Sequence, residues 1–251
     1  MYQDLNNNPY YLPETDQKQS SFNPRLGFVR KVYGIVSVQL LITATFVYLC
    51  QGPLRKYFYD EVNQTIYQAG FTAFIVAAVT SFIVSIFLAC YSSIARTVPT
   101  NYILLGVFTL CETYIVGYIT VFAEPMDVLL AAVLALTMTL VLTLYAFTTK
   151  SDITMWGAAL WIAGWALIGF SLLFFWIGPR TEAYNTVMIV VAVLTIVLYG
   201  FYLVYDTQLI MGGKRYELSL DDYILAALVI YIDIIVLFLK ILEILSRLRR
   251  N

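Results

Sequence analysis

The sequence predicts an all-α membrane protein, folded as a bundle of seven transmembrane helices. Of its 251 residues, 61% are hydrophobic and only 12% are charged. Soluble domains typically contain about 45–50% apolar and about 25% charged residues. Seven apolar runs are each long enough to cross the hydrocarbon core of a bilayer, which needs about 20 residues. Short connections separate most of these runs, so the chain leaves no room for a soluble domain and is interpreted as one compact bundle.

The chain begins with a polar segment, residues 1–24, which contains three prolines and a run of three asparagines. This composition predicts a disordered tail, without a signal peptide or a myristoylation site. The transmembrane domain is predicted over residues 25–251. Its first apolar run, residues 32–50, would act as the uncleaved insertion signal. The longest connection follows, residues 51–69, and it contains a glycosylation sequon at Asn63.

The other six predicted spans follow in order at about 70–91, 102–122, 127–147, 155–177, 184–211 and 223–245. Lysines and arginines near the span ends favour a cytoplasmic N-terminus. Arg247, Arg249 and Arg250 conflict with that orientation, because seven full spans would place them on the outer or lumenal side. Either the last segment is re-entrant and its end is cytoplasmic, or the charge rule does not hold at this end of the chain.

Acidic residues inside the predicted spans are the strongest functional signal. A bare charge in the membrane costs roughly 2.5–3.5 kcal/mol on insertion scales, so an acid there is a functional hypothesis by default. The third span carries Glu112, the sixth carries Asp206 and the seventh carries Asp233. A rise of about 1.5 Å per residue places all three in the half of the membrane nearer the predicted cytoplasmic side.

Helical phase places Asp206 and Asp233 on polar stripes of two neighbouring helices. At about 100° per residue, Asp233 falls on one line of the seventh helix with Asp222 and Lys240. A short connection makes the sixth and seventh helices antiparallel neighbours, so their polar stripes should face each other or a watery cavity rather than lipid. The stripe on the sixth helix consists of Thr195, Tyr199, Tyr202 and Asp206.

Two facing carboxyl groups in a low dielectric cannot both ionise easily, so the pair Asp206 and Asp233 is expected to share one proton. That arrangement gives a titrating switch to a chain that contains no histidine. The same oxygens are hard ligands suited to calcium. Alternatively, both acids only hydrogen-bond backbone or tyrosine groups between helices. Glu112 is either a structural hydrogen-bonding residue or a further pathway acid, and Lys240 and Glu243 are interpreted as snorkelling toward the far interface.

Several other functions are excluded by composition and motif. The absence of histidine removes most zinc and haem chemistry, and a net charge of −1 argues against a nucleic-acid partner. Cys50, Cys90 and Cys111 are interpreted as packing residues. There is no hydrolase triad or phosphate-binding loop, and Asp233 lacks the glycines of an intramembrane aspartyl protease motif. The chain is therefore not expected to be an enzyme or to need a resident cofactor.

Four stretches of the chain carry a resemblance to a known family: residues 25–43, 99–105, 146–152 and 205–235. The most specific begins at Tyr205-Asp206 and continues through Gly212-Gly213-Lys214. Together they resemble the transmembrane Bax inhibitor motif proteins, in the Lifeguard branch. The resemblance implies a seven-helix bundle with the seventh helix central.

The resemblance also implies an endomembrane calcium leak that is sensitive to pH and tied to suppression of stress-induced cell death. The family's paired aspartates fall on Asp206 and Asp233, and a family arginine proposed to latch the closed state is best matched by Arg96. Calcium would be the permeant or transiently bound ion. The compartment implied is the endoplasmic reticulum or Golgi, with other endomembranes or the plasma membrane as alternatives.

The expected partners are the lipid bilayer, calcium, protons, and membrane proteins that regulate apoptosis or conduct calcium. An alternative function stays open at this point: a non-conducting membrane protein that restrains death or stress signalling by binding partners. In that case the aspartates would be structural, and the polar tail and the turn at residues 214–222 would carry the interaction.

Overall fold

A computed structural model describes residues 24–60, 65–177 and 184–250 of the chain. The predicted disordered tail, up to residue 23, and the sequon at Asn63 lie outside these ranges. The fold below is that of the described residues.

The described residues form seven long helices that are apolar enough to cross a membrane, which confirms the predicted class and number of spans. The helices α1 to α7 are, in chain order, Pro24–Gln51, Gln68–Cys90, Thr100–Thr120, Pro125–Thr148, Gly157–Ile177, Tyr184–Met211 and Tyr223–Arg250. The first and last are longer than predicted, because α1 begins at Pro24 and α7 continues to Arg250. A hydropathy pattern detects only the apolar part of a helix that extends past the hydrocarbon core.

The connections hold only short elements. The loop after α1 contains a single 3₁₀ turn, Arg55–Tyr57, and a two-residue antiparallel pairing of β1, Tyr59–Asp60, with β2, Thr65–Ile66. A short helix, Ser92–Arg96, joins α2 to α3, and a second 3₁₀ turn, Thr154–Trp156, leads into α5. These segments do not change the all-α character of the fold.

Helix α7 is the centre of the bundle, as the resemblance implied. It packs most extensively against α6 and also contacts α1, α3 and α4. Within its most apolar 18 residues, 67% are buried, compared with 6% for the segment Thr154–Phe174 that includes most of α5. Helix α5 is therefore peripheral and packs mainly on α6. The fully buried side chains of α7 include Ile224, Ala226, Ala227, Ile230, Tyr231 and Leu237.

The last helix crosses the whole bundle. It runs unbroken from Tyr223 to Arg250, and Arg249 near its end bonds Asp127 in the first turn of α4 at 2.6 Å. A continuous helix of this length favours the full span over the re-entrant alternative. We call the end of the bundle where α1, α3, α5 and α7 begin the Lys214 end, after the loop that joins α6 to α7. The opposite end is called the Arg249 end.

Gly117 on α3 lies at a close contact between α3 and α1. A Cβ atom at this position would lie 2.6 Å from two ring carbons of Phe46 and 3.0 Å from the Cys50 sulfur. We expect Gly117→Ala to lower the apparent melting temperature in detergent, because overpacking a tight contact costs about 1–3 kcal/mol. Gly106→Ala on the same helix is the matched control, since a Cβ there meets no atom within 4 Å. Equal melting temperatures for the two variants would contradict this packing.

Candidate functional site

Asp206 and Asp233 lie against each other where α6 and α7 pack, toward the Lys214 end. Their carboxyl groups are within hydrogen-bonding reach of each other. Asp233 is 4% exposed and Asp206 is half-buried. A carboxylate accepts hydrogen bonds but cannot donate one, so a bond between the two groups requires one proton on the pair. The structure thus brings together the two acids that helical phase had placed on facing stripes.

The hairpin between α6 and α7 creates this juxtaposition. Helix α6 ends at Met211 and is followed by Gly212 and Gly213, both with positive φ, at 70° and 74°. This left-handed backbone is nearly free of strain only for glycine and is a common helix terminator. The chain then returns through a short loop to Tyr223, the first residue of α7. The two glycines therefore set the antiparallel pairing on which the aspartate contact depends.

One oxygen of the pair is unsatisfied. Asp233 Oδ2 is buried and has no hydrogen-bond partner among the described residues. A buried polar atom without a partner is uncommon in proteins and calls for an explanation, such as a proton, water or ion. The pair therefore has one internal contact and one open acceptor position in the core of the bundle.

Tyr33 contributes to the surroundings of the pair and was missed by sequence reasoning. Its hydroxyl is 3.1 Å from the Thr207 hydroxyl, which ties α1 to α6 at the residue next to Asp206. Thr207 is completely buried. A tyrosine near the start of an apolar helix gives no phase signal of its own, so only the fold reveals this neighbour.

Two other members of the α6 stripe are bonded elsewhere. Thr195 donates to the Val191 carbonyl of its own helix at 2.8 Å, and Tyr202 donates to the Leu160 carbonyl on α5 at 2.9 Å. These two hydroxyls therefore bond main-chain carbonyls rather than the aspartates. The aspartate pair, rather than the whole stripe, is the unusual feature of this interface.

Glu112 occupies a separate position on α3. Its carboxyl group lies near the Ser81 hydroxyl on α2, and that hydroxyl donates to the Ala78 carbonyl of its own helix at 3.2 Å. Within the described part of the chain, no group of three or more His, Cys, Asp or Glu side chains comes together that could hold a metal ion. Asp206 and Asp233 would thus offer two carboxyl groups to calcium without Glu112 as a third. Ser81 is therefore a candidate partner for the structural hydrogen bond that was one predicted role of Glu112. The other predicted role, as an acid of the ion pathway, stays a prediction.

Arg96 bonds Asp222, the residue immediately before α7. Its Nε donates to Oδ1 at 2.8 Å and its Nη2 donates to Oδ2 at 2.9 Å. The bidentate contact raises the pKa of the Arg96 guanidinium and ties the connection between α2 and α3 to the beginning of the central helix. The predicted latch residue therefore contacts the residue that precedes α7, and Asp233 lies further along the same helix.

Lys240 and Glu243, predicted to snorkel toward the far interface, form an ion-pair network with Arg247 at the Arg249 end. Lys240 Nζ is 2.8 Å from one Glu243 oxygen, and Arg247 Nη2 is 2.9 Å from the other. Their i,i+3 and i,i+4 spacings were a usable sequence signal for this pairing. The network lines a cavity of about 740 Å³ that is otherwise mainly apolar.

A ladder of buried hydrogen bonds joins α1, α3 and α7, and sequence reasoning missed it. Gln39 donates to Thr109 at 2.8 Å. One turn further, the Thr43 hydroxyl lies 2.9 Å from that of Thr113 and 2.8 Å from that of Tyr231. All five side chains are buried. Tyr231 lies two residues before Asp233, on the opposite face of α7, so the central helix is held by polar contacts on both sides.

Comparison with known proteins finds relatives over nearly the whole chain. The family model described as "Inhibitor of apoptosis-promoting Bax1" matches residues 25–251. The chain is 30% identical to Protein lifeguard 3 of Mus musculus over 250 residues, which cover 93% of this chain and 75% of that protein. It is 31% identical to Protein lifeguard 4 of Mus musculus over 234 residues, which cover 92% of this chain and 90% of that protein. It is also 29% identical to Protein lifeguard 3 of Homo sapiens over 219 residues, 87% of this chain and 68% of that protein.

The ion pair between Arg96 and Asp222 can be tested by exchanging its charges. We expect Arg96→Asp or Asp222→Arg alone to lower the melting temperature, because each places like charges opposite each other. The double variant should recover part of the loss, since it restores an ion pair in reversed orientation. The measurement is thermal unfolding of the full chain in detergent. A double variant no more stable than the weaker single variant would show that the contact does not hold the start of α7.

Proposed function

The chain belongs to the Bax inhibitor family of multi-pass membrane proteins, and from that premise we propose that it is a pH-sensitive calcium leak channel of an endomembrane. The family description indicates an anti-apoptotic membrane protein. The proposed leak would support calcium homeostasis and so restrain stress-induced cell death. The endoplasmic reticulum or Golgi is the compartment we propose. No enzymatic activity enters this proposal.

The observation that carries the proposal is the carboxyl pair of Asp206 and Asp233. A hydrogen bond between these two neighbouring groups would need one proton, which links proton occupancy to the α6–α7 contact. In the closed state the pair shares that proton. When the proton is lost or redistributed, the carboxylate oxygens become available to calcium, which prefers hard oxygen ligands. The unpartnered Oδ2 of Asp233 is an acceptor position that an entering ion could use.

The central position of α7 supports a role for this switch. A change at Asp233 acts on the one helix that contacts α1, α3, α4 and α6. Packed helices shift as units rather than deforming continuously. A small displacement of α7 would therefore alter several helix contacts together, and it would do so from a single titrating pair.

Arg96 fits the proposal as the latch that the family resemblance suggested. Its bidentate bond to Asp222 holds the first residues of α7 in place, so breaking the bond would make movement of α7 easier. The charge-exchange variants described above also test this role. Each single variant should raise calcium flux above that of wild type, and the double variant should bring the flux back toward the wild-type level.

The leak can be tested in liposomes that contain a calcium-sensitive dye. We expect the wild-type protein to give a calcium flux that changes with pH, and Asp206→Asn and Asp233→Asn each to give a flux that no longer responds to pH. An amide cannot exchange the shared proton, which is the physical reason for this loss. Asp221→Asn is the matched control, because Asp221 is an exposed acid in the loop before α7. A calcium flux that keeps the wild-type pH response in both Asp206→Asn and Asp233→Asn would contradict the proposal.

A second candidate function is favoured by the loop between α6 and α7. Tyr216 and Leu220 are 53% and 44% exposed, and both lie outside the membrane-spanning helices. An exposed aromatic and an exposed aliphatic residue on one loop form a small surface that a protein partner could cover. In this candidate, the protein restrains death or stress signalling without conducting ions, and the aspartates only stabilise the hairpin.

Cell survival assays under stress separate the two functions. If the chain acts by binding partners, a Tyr216→Ser and Leu220→Ser double variant should lose protection, while Asp206→Asn with Asp233→Asn should keep it. If the chain acts through the leak, the outcome is reversed. Both variants need wild-type expression levels and membrane localisation for this comparison.

A further inference from the structure

The ammonium of Lys214 is held by three consecutive main-chain carbonyls. Its Nζ donates to the oxygen of Thr149 at 3.2 Å and to those of Lys150 and Ser151 at 3.1 Å each. An ammonium has three N–H groups, so each carbonyl receives one. We call the carbonyl oxygens of Thr149, Lys150 and Ser151 the carbonyl cradle. It lies in the connection between α4 and α5, whereas Lys214 lies in the loop between α6 and α7.

The carbonyl cradle differs from an ordinary helix end. Helix α4 ends at Thr148, so the three carbonyls follow the helix and are not the unpaired carbonyls of its last turn. The Tyr145 carbonyl, which does belong to that turn, already accepts the Thr149 amide at 2.9 Å. The convergence of three successive oxygens on one point is therefore a property of the connection itself.

Other side chains fix the shape of the cradle. The Ser151 carbonyl also accepts from Gln208 Nε2 at 2.9 Å, and Gln208 Oε1 accepts the Ile153 amide at 2.8 Å. Gln208 is completely buried. Asp152 accepts the Thr154 amide at 3.0 Å. Because these bonds do not involve the Lys214 side chain, the cradle should keep its geometry when that side chain is removed.

A carboxylate stands beside the cradle. Bonds from the Thr154 hydroxyl and the Arg215 amide lower the pKa of Asp152, and the positive charge of Lys214 adds to this effect. Asp152 is therefore an anion at neutral pH. The three carbonyl oxygens are hard ligands of the kind that calcium binds in proteins, and the nearby Asp152 carboxylate adds negative charge that favours a cation there.

We propose that the carbonyl cradle is a cation-binding site in which the Lys214 ammonium is a tethered occupant that a metal cation, calcium in particular, can displace. Displacement would partly release the loop between α6 and α7 from the connection between α4 and α5, which the Arg215 and Tyr216 amides also hold. That loop joins the two helices that carry Asp206 and Asp233. Cation binding at the cradle does not depend on the proposed leak. Any effect of loop release on calcium flux does rest on that proposed function.

The test is thermal unfolding of the full chain in detergent, with calcium chloride titrated into wild type, Lys214→Met and Arg215→Met. We expect Lys214→Met to gain a saturable rise in melting temperature, at calcium concentrations at least tenfold below any that affect wild type, because the competing ammonium is gone. Arg215→Met removes the same charge from the neighbouring residue and should behave as wild type. Choline chloride at equal ionic strength should produce no rise in any variant.

A second pair of variants ties the response to the site. Lys214→Gln replaces the ammonium with a neutral amide that can still donate to the carbonyls. It takes the place of Lys214→Met in the titration if that variant does not fold. Adding Asp152→Asn to either variant should weaken the calcium response, since it removes the nearby negative charge. Equal calcium responses in wild type and the Lys214 variants, or lower stability with no calcium response, would overturn the proposal and leave Lys214 as a loop contact only.

Liposome flux separates this inference from the proposed function. Calcium-dependent stabilisation of Lys214→Met, together with no calcium flux from wild type at any pH, would keep the cation site and reject the leak. A pH-dependent wild-type flux with no calcium response in Lys214→Met would reject the cation site and keep the leak.

Discussion

The contact between two carboxyl groups in the core of the bundle is the constraint that the rest of the fold has to satisfy. Lipid offers no hydrogen bonds, so buried polar groups must find their partners within the protein. Asp206 and Asp233 do this by facing each other between α6 and α7. Such a contact survives only where other helices exclude lipid from it, and this requirement places α7 in the centre of the bundle. The polar ladder through Tyr231 then holds the opposite face of the same helix.

The predictions that succeeded depend on local properties of the chain. Bilayer thickness sets the length of each apolar run, so all seven spans could be recognised, and the period of the helix placed Asp206 and Asp233 on facing sides. The contacts that were missed join residues far apart in sequence, such as Arg96 and Asp222, which are 126 positions apart. Threonine and glutamine also give little signal in an apolar helix, which explains why the ladder of Gln39 and Thr43 was not anticipated. No property of one segment indicates which distant segment will supply its partner.

The arginines at the end of α7 illustrate the same limit. The charge rule counts each lysine and arginine near a span end as an unpaired, solvated charge. On that basis, the arginines at the end of α7 argued against a full last span. In the fold, Arg247 bonds Glu243 at 2.9 Å and Arg249 bonds Asp127 at 2.6 Å. Much of the charge that conflicted with the predicted orientation is therefore compensated inside the protein. The i,i+4 spacing already indicates the partner of Arg247, whereas only the folded bundle reveals Asp127 as the partner of Arg249.

The attachment of α5 gives the bundle a distinct dependence on its membrane. A Cβ at Gly157 would lie 2.7 Å from the Tyr205 hydroxyl, and one at Gly164 would lie 2.9 Å from the Tyr202 hydroxyl, so α5 docks on α6 through the close fit of tyrosines against small residues. Most of its remaining surface is left to the acyl chains. Bilayer thickness and acyl-chain order therefore act on α5 before they act on the six helices around the core, and α6 passes that influence to the hairpin that contains the aspartates.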